Sequence, residues 1–309
     1  RITFTTGLHF QHFSLNDKVA IEPRAGVKYA VGKSSSVNFG YGIHNQIQSY
    51  YTYLIQTPTP TGIDYTNKNL DFTRAQHLIA GYENHLTQNI RLKVETYYQW
   101  LDKVPVNIYP SSYSVLNQGA SFNPSDEDSL TNKGTGTNFG MEVTLERYFN
   151  NGYYFLLTGS LFDSKYKGSD GIERNTAFNT RYAYNILAGK EFKLGKNGNI
   201  LSFALRVTST GGRYLTPIDV EATKASSQRD PVEDKANAFS ARQIPYFRSD
   251  LRIAYRKEFK RSTLEIAVDL QNITNNKNVF RQGYNRKNNT ISTEYQQMFF
   301  PVPMVRYTF

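Results

Sequence analysis

The order of short and long connections restricts this chain more than any single motif. Twelve stretches alternate apolar with polar or charged residues, so that same-parity side chains would line one face of a strand. The first six are marked by Ile2, Phe4, Leu8 and Phe10; Ala25, Val27 and Tyr29; Val37, Phe39 and Tyr41; Leu78, Ala80 and Tyr82; Leu92, Val94 and Tyr98; and Phe139, Met141 and Val143. The later six are marked by Tyr153, Phe155 and Leu157; Tyr182, Tyr184 and Ile186; Leu201, Phe203 and Leu205; Leu251, Ile253 and Tyr255; Leu264, Ile266 and Val268; and Val305, Tyr307 and Phe309. Connections after the even-numbered stretches are tight, as at Thr87-Gln88-Asn89, Asn150-Asn151-Gly152 and Gly195-Lys196-Asn197-Gly198. Asn and Gly tolerate the positive φ of hairpin turns. Connections after the third and later odd-numbered stretches are long: roughly 49–72, 105–136, 163–179, a stretch beyond Leu215, and an Asn-rich stretch over 272–289. The first connection, near Asn16-Asp17-Lys18, reads as intermediate. Such sorting means that every strand crosses one layer, with the long loops on one side. Membrane barrels do this, with short periplasmic turns and long extracellular loops. A sandwich or a propeller has no reason to sort loops by parity.

Composition agrees with strands rather than helices. Aromatics are 14% of residues, with 23 Tyr and 20 Phe against one Trp. Mean hydropathy is −0.55, and the best apolar run, near 153–157, is far too short for a membrane helix. That excludes helical spanning but not a barrel, because half of each barrel strand faces water. A closed barrel of about twelve strands is too wide for side chains to fill. Its apolar face must then point outward to lipid. The charged alternates Glu142, Glu146, Arg248, Asp250, Arg252 and Asp269 are expected to point inward, to a wet lumen or a plug. The expected fold class is all-β, an antiparallel transmembrane β-barrel segment that occupies 1–309 as one domain.

Other classes of function are weakly supported. Net charge is +10, but Lys and Arg are scattered rather than gathered into a patch, which argues against nucleic acid. Contact of some cations with lipid phosphates, or plain solvation, fits better. Cys is absent, so there is no disulfide framework or thiolate chemistry. His9, His12, His44, His77 and His85 form no paired metal motif, and no Gly-x-Ser-x-Gly elbow picks out a nucleophile. No enzyme activity and no cofactor are expected. Asp126-Glu127-Asp128 lacks EF-hand spacing and reads as a solvated acidic loop, as does the segment from Asp219 to Asp234. Loop aromatics Tyr50, Tyr51, Tyr53, Tyr109 and Tyr113 are the candidates to stack on a ligand.

The chain ends on alternating Val305, Tyr307 and Phe309. This resembles the terminal signature of gram-negative outer-membrane proteins, which the barrel-assembly machinery reads. Five further stretches, in order, resemble the TonB-dependent receptors, in the subgroup with a carboxypeptidase-regulatory-like N-terminal domain. They are Ile21-Glu22-Pro23-Arg24, the stretch from Asn138 to Arg147, Asn179-Thr180-Arg181-Tyr182-Ala183-Tyr184-Asn185, Tyr246-Phe247-Arg248-Ser249-Asp250-Leu251 and Asp269-Leu270-Gln271-Asn272-Ile273-Thr274-Asn275. The resemblance implies a 22-stranded barrel closed by an N-terminal plug, of which this chain is the C-terminal half. It implies a multi-pass location in the gram-negative outer membrane and import of a scarce extracellular nutrient. The implied partners are the N-terminal half of the same receptor, TonB acting through that missing region, the lipid bilayer and lipopolysaccharide, with a surface lipoprotein as a further candidate. The residues by themselves leave open a complete twelve-stranded passive channel, an outer-membrane hydrolase, or a scaffold to which surface lipoproteins dock.

Two structural expectations follow. Tyr82, Tyr98, Phe139, Phe155, Tyr182, Tyr184, Phe203, Tyr255, Tyr307 and Phe309 should share a face opposite to the charged set. The strand at 2–10 should not pair with the strand ending at Phe309. Pro301 and Pro303 each lack an N–H on the same side, so the ladder beside them is expected to be interrupted or shifted.

Overall fold

The structure is a computed structural model that describes residues 1–120, 125–227 and 231–309. Twelve long strands form one antiparallel meander: β1 Ile2–Phe13, β2 Lys18–Ala30, β3 Ser35–Gln46, β4 Thr73–Thr87, β5 Ile90–Asn107, β6 Leu130–Asn150, β7 Tyr153–Lys167, β8 Tyr182–Leu194, β9 Asn199–Thr210, β10 Tyr246–Glu258, β11 Thr263–Gln271 and β12 Phe300–Thr308. Each pairs with its neighbours in chain order, and Glu173–Asn175 adds a short piece beside β7. The β6–β7 turn has the expected chemistry, with Asn151 at φ 53 and Gly152 at φ 76. No helix among the described residues is long and apolar enough to cross a membrane.

Three sequence expectations need correction. The β1–β2 connection is a tight turn at 14–17, because β1 continues to Phe13. The Asn-rich stretch holds a hairpin, Val279–Asn285 paired with Thr290–Tyr295, rather than plain loop. Several strands also run further into the long-loop end than periodicity suggests. β5 passes Pro105 to Asn107, with register shifts between Leu101 and Val106, where Lys103 takes φ 54. A proline within a ladder removes a donor, and the bulge absorbs the mismatch.

Register carries face identity across the sheet. Phe155, Ala188, Leu205, Leu251 and Leu270 stand opposite one another in turn across β7 to β11. By the same alternation Tyr82, Tyr98, Phe139, Phe155, Tyr182, Tyr184, Phe203, Tyr255 and Tyr307 lie on one face, with Phe309 following in parity. Glu142, Glu146, Arg248, Asp250, Arg252 and Asp269 lie on the other. The aromatic face exposes Phe4, Leu8, Phe39, Phe139, Leu161, Ile266 and Val305. An apolar surface of that extent needs lipid against it.

The polar face is laced by ion pairs. Arg91 bridges Glu146 at 3.0 Å and Glu83 at 3.3 Å, and Arg252 reaches both Asp269 and Glu265 at 2.9 Å. Asp250 takes Arg248 at 2.7 Å and Arg206 at 2.9 Å. The densest node is Glu22. The β1–β2 register continues through Leu8 and Pro23, so the ring nitrogen of Pro23 faces β3. The β2–β3 ladder accordingly stops at Arg24 and Gly42. The side chain of Glu22 takes over beyond that point. It accepts the Asn45 N–H at 2.6 Å, Gln11 Nε2 at 2.6 Å, Arg24 at 2.7 Å and His9 Nδ1 at 2.9 Å.

Both outer strands are edges. Among the described residues β1 pairs with β2 alone and β12 with β11 alone, and no ladder joins Ile2–Phe13 to Phe300–Thr308. The β11–β12 register is unbroken from Thr263–Thr308 to Gln271–Phe300, past both prolines. The expected interruption is therefore absent on that side. An unbroken ladder requires Pro301 and Pro303 to sit in non-hydrogen-bonded pairs, with their nitrogens toward the open edge.

Candidate binding surface at the long-loop end

An apolar cluster of buried residues lies where the long loops meet the strand ends. Phe13, Ala20, Tyr53, Leu70, Phe72 and Leu130 form it, with Leu15, Ile47, Tyr113 and Val115 packed against it. The tops of β1, β2 and β6 thus meet the 47–72 connection. The short helix α1, Tyr50–Tyr53, turns Thr52 and Tyr53 inward. Phe13 and Tyr53 rings lie 4.9 Å apart. Asn67, wholly buried, clamps three segments: its Nδ2 donates to the Thr52 and Glu127 carbonyls at 3.0 Å, and its Oδ1 accepts the Leu130 N–H at 2.9 Å.

A second node joins the 108–129 and 168–181 loops to β7. The Tyr166 hydroxyl donates to the Ser112 carbonyl at 2.9 Å, and the Tyr166 ring meets Phe239 edge-on. Ser169 Oγ donates to the Tyr109 carbonyl at 2.6 Å. Arg174 is buried and bridges Asp170 at 2.8 Å. The 211–245 loop closes over these. Arg213 donates to the Ala120 carbonyl at 2.9 Å and Arg242 to the Thr180 carbonyl at 3.0 Å. Backbones approach so closely that a Cβ on Gly212 would lie 1.7 Å from the Gln243 carbonyl oxygen, which explains the glycine there.

The sequence candidates separate clearly on this scaffold. Tyr53 is 0% exposed and accepts the Gln48 N–H with its hydroxyl. It is a packing residue, not a stacking platform, which corrects its place among the ligand candidates. Tyr113 is half-buried, and its hydroxyl accepts from Gln118 at 3.1 Å. Burial raises the pKa of its phenol, as it does for Tyr53. Tyr50 and Tyr51 are exposed, and Tyr109 is 71% exposed. Tyr51 donates to Asp126, and this bond raises its phenol pKa. Glu127 accepts Asn107 Nδ2 at 3.0 Å, and the Asn107 Oδ1 accepts the Tyr109 N–H at 2.9 Å. The segment at 126–127 therefore ties Tyr51 and Tyr109 into one surface. With Ile63 and Tyr65 exposed on the same 47–72 loop, the rim of this end offers rings and carboxylates together. Asn67, Tyr166 and the Asp170–Arg174 pair were not foreseen, because no periodicity marks a residue buried by distant loops.

No three His, Asp or Glu among the described residues converge as metal ligands. Asp219 and Asp234 act as helix caps, accepting the Ala222 N–H at 2.9 Å and the Asn237 N–H at 3.3 Å. Asp230, in the same acidic segment, lies outside the described residues. His44 and His77 rings meet edge-on at 4.8 Å, and His77 Nε2 contacts Gln99 at 2.9 Å.

The Asp170–Arg174 pair gives this end a pH dependence. Burial by itself raises the Asp170 pKa, but the Arg174 guanidinium and the Ile172 N–H outweigh it and hold the carboxyl below the ordinary range. A depressed folded pKa contributes stability above the unfolded pKa, and this is lost as pH falls through the folded value. We expect amides at 172–177 to lose exchange protection on acidification before those of β7 to β9. Asp170→Asn should produce the same loosening at neutral pH, at a local cost of roughly 2–3 kcal/mol. Identical acid profiles for parent and variant would contradict this role.

The family model described as TonB dependent receptor-like, beta-barrel, matches residues 1–273. The chain belongs to the TonB-dependent receptor β-barrel family. Members are outer-membrane β-barrel proteins of gram-negative bacteria, and this TonB-dependent receptor barrel is placed in that membrane; the family is one of receptors and transporters, not enzymes. No curated protein sequence matches the chain. Among solved structures, it is similar to the ferric-catecholate import receptor Fiu from K12 E. coli, with TM-score 0.62 and 10% identity, covering 95% of this chain and 36% of that one. It is similar to the outer membrane transporter YddB from Escherichia coli, with TM-score 0.62 and 11% identity, covering 99% and 42%. It is also similar to the ferric yersiniabactin uptake receptor FyuA from Yersinia pestis, with TM-score 0.60 and 14% identity, covering 94% and 37%. At these identities the likeness establishes the fold, and the chain spans about two fifths of the length of these structures.

Proposed function

We propose that this chain is the C-terminal part of an outer-membrane receptor that binds a scarce extracellular nutrient at its long-loop end and imports it with energy relayed by TonB. The observation that carries the reading is a family match over residues 1–273 on a meander whose two outer strands each leave one edge without a strand partner among the described residues. In this reading the preceding part of the receptor supplies the remaining strands and the plug. The polar face with Glu142, Glu146, Arg248, Asp250, Arg252 and Asp269 lines the lumen against that plug. Tyr50, Tyr51 and Tyr109 form part of the outer ligand surface, and Val305, Tyr307 and Phe309 are read by the barrel-assembly machinery. A surface lipoprotein is a further candidate partner at the long loops. Fiu and FyuA are named for ferric complexes, so ferric complexes head the substrates to be tried.

The test is nutrient-limited uptake in the source cell, with the whole gene deleted and restored, in backgrounds with and without TonB. The reading expects uptake that requires both the gene and TonB. Uptake that needs the gene but persists without TonB would replace the receptor with a passive channel. Within a working receptor, Tyr51→Ala with Tyr109→Ala is expected to weaken ligand binding about tenfold or more, as loss of two exposed rings does at other stacking sites.

A further inference from the structure

The two outer strands do not present equivalent edges. In an antiparallel sheet, successive residues turn their N–H and C=O groups to opposite neighbours. Just before β1, the Arg1 carbonyl accepts the Ala30 N–H at 2.8 Å. The β1–β2 register then runs unbroken through Leu8 and Pro23, which has no N–H for β1. Both facts commit the odd residues of β1 to β2. Ile2, Phe4, Thr6, Leu8, Phe10 and His12 turn outward, and each has an N–H to give.

The open edge of β12 is poorer. Its register to β11 is continuous from Thr308 to Phe300, so the prolines within it turn their nitrogens away from β11. Pro301, Pro303, Val305 and Tyr307 therefore face outward, with Phe309 following in parity. From the long-loop end, this row opens with both prolines, and donors resume only at Val305. Pro301 and Pro303 are exposed, so no described element covers them. The side chains between and beyond them, Val302 and Met304, carry no N–H or O–H to stand in.

A strand laid along β1 can bond over its whole length. A strand laid along β12 finds no donor for the carbonyls it sets opposite Pro301 and Pro303. Pro303 pairs with Val268, two residues from the Ile266–Val305 pair on the lipid-facing side. Carbonyls without donors are too costly to hold in hydrocarbon. Water must reach them, and the long-loop end is the near source, since Phe300 to Pro303 is roughly 10 Å of strand.

We propose that the barrel has a lateral seam along the outward edge of β12, zipped from Val305 to Phe309 and parted over Phe300 to Pro303. The strand that closes it belongs to the part of the receptor preceding this chain. Similar structures, of which the chain spans about two fifths, leave ample chain for such a strand. The inference rests on the reading of this chain as the C-terminal part of a larger receptor. It makes β12, not β1, the place where the wall opens sideways, and it gives the lumen a wet notch below the long loops.

The test is hydrogen exchange of the whole receptor in lipid nanodiscs, read amide by amide. The Val305 N–H, beside the last proline, should exchange about tenfold faster than the outward Leu8 N–H, with Tyr307 between them. Pro301→Val with Pro303→Val restores both donors with residues suited to a lipid-facing strand. It should slow Val305 to near the Leu8 rate and raise the unfolding temperature. Val305 as slow as Leu8 in the parent overturns the proposal. So does a double variant that leaves both the Val305 rate and the unfolding temperature unchanged. Oxidation of a Phe4→Cys, Val305→Cys pair separates the failures. A disulfide there means that β12 closes on β1 and defeats the larger-receptor reading, whereas no disulfide with a slow Val305 defeats only the seam.

Discussion

Glu22→Ala is expected to destabilise the barrel by about 2–4 kcal/mol, because it removes an acceptor shared by four groups while its charged partners stay partly solvated. Glu22 is 1% exposed. Its carboxylate is the acceptor that four groups on three strands share, Gln11 and His9 from β1, Arg24 from β2 and the backbone N–H of Asn45 from β3. Pro23 creates the need. It cannot donate to β3, so the two strands part, and the Asn45 N–H has no ladder partner from β2. Truncation to Ala leaves the Asn45 backbone donor without its acceptor and returns the half-exposed Arg24 guanidinium to water. Glu22→Gln keeps an acceptor for Asn45 while removing the charge that holds Arg24, and its cost should be smaller. Urea unfolding of the whole receptor in lipid vesicles reads both variants. A loss below about 1 kcal/mol for Glu22→Ala, the size of one ordinary hydrogen bond, would show that the strands do not depend on this node.

Ile266→Arg should cost roughly 2–4 kcal/mol if its position lies near mid-bilayer, as lipid-facing arginines do in such barrels. Ile266 is exposed on the aromatic face, between Tyr255 on β10 and Val305 on β12. The neighbouring position on the other face offers an internal control. Glu265 already bonds Arg252 at 2.9 Å, so Ala267→Ser, on that same polar face, should change stability little. An Ile266→Arg variant that unfolds at the same urea concentration as the parent would mean that this face meets water or protein instead of lipid.

How far the sequence reached can be judged from particular elements. Period-two alternation placed all twelve long strands and their faces, because a strand buried on neither side still sorts residues by solvent, whether lipid or water. The tight turns were legible where Asn and Gly supply positive φ, as at Asn151 and Gly152. Strand ends were not. β5 resumes beyond Pro105 because Val104 and Val106 pack inside the loop end, both at 0% exposure, a gain that local sequence does not display. Tyr50, Tyr51 and Tyr53 look equivalent as a cluster. One helical turn then sends Tyr53 to Phe13 and leaves the other two outside. Asn67 and the Asp170–Arg174 pair had no signal at all, since their partners lie on other loops. The prolines of β12 were read correctly as missing donors. The side on which they are missing depends on the β11 register, which only the fold supplies.

The most direct test of the central claim, that β1 and β12 are edges completed by the rest of a larger barrel, is disulfide scanning in the whole receptor assembled in the outer membrane. The chain has 0 Cys, so introduced pairs within it report cleanly. Ile266→Cys with Val305→Cys is the positive control: the two are register partners in a pair that is not hydrogen-bonded, a geometry suited to a disulfide. The test pairs combine Val305→Cys with Phe4→Cys, Thr6→Cys or Leu8→Cys, which share its face and cover neighbouring registers. The account predicts oxidation of the control pair and none of the test pairs. Ready oxidation of any test pair, with the control intact, would mean that the strands Ile2–Phe13 and Phe300–Thr308 close on each other, and a complete twelve-stranded channel would take the place of the half-receptor.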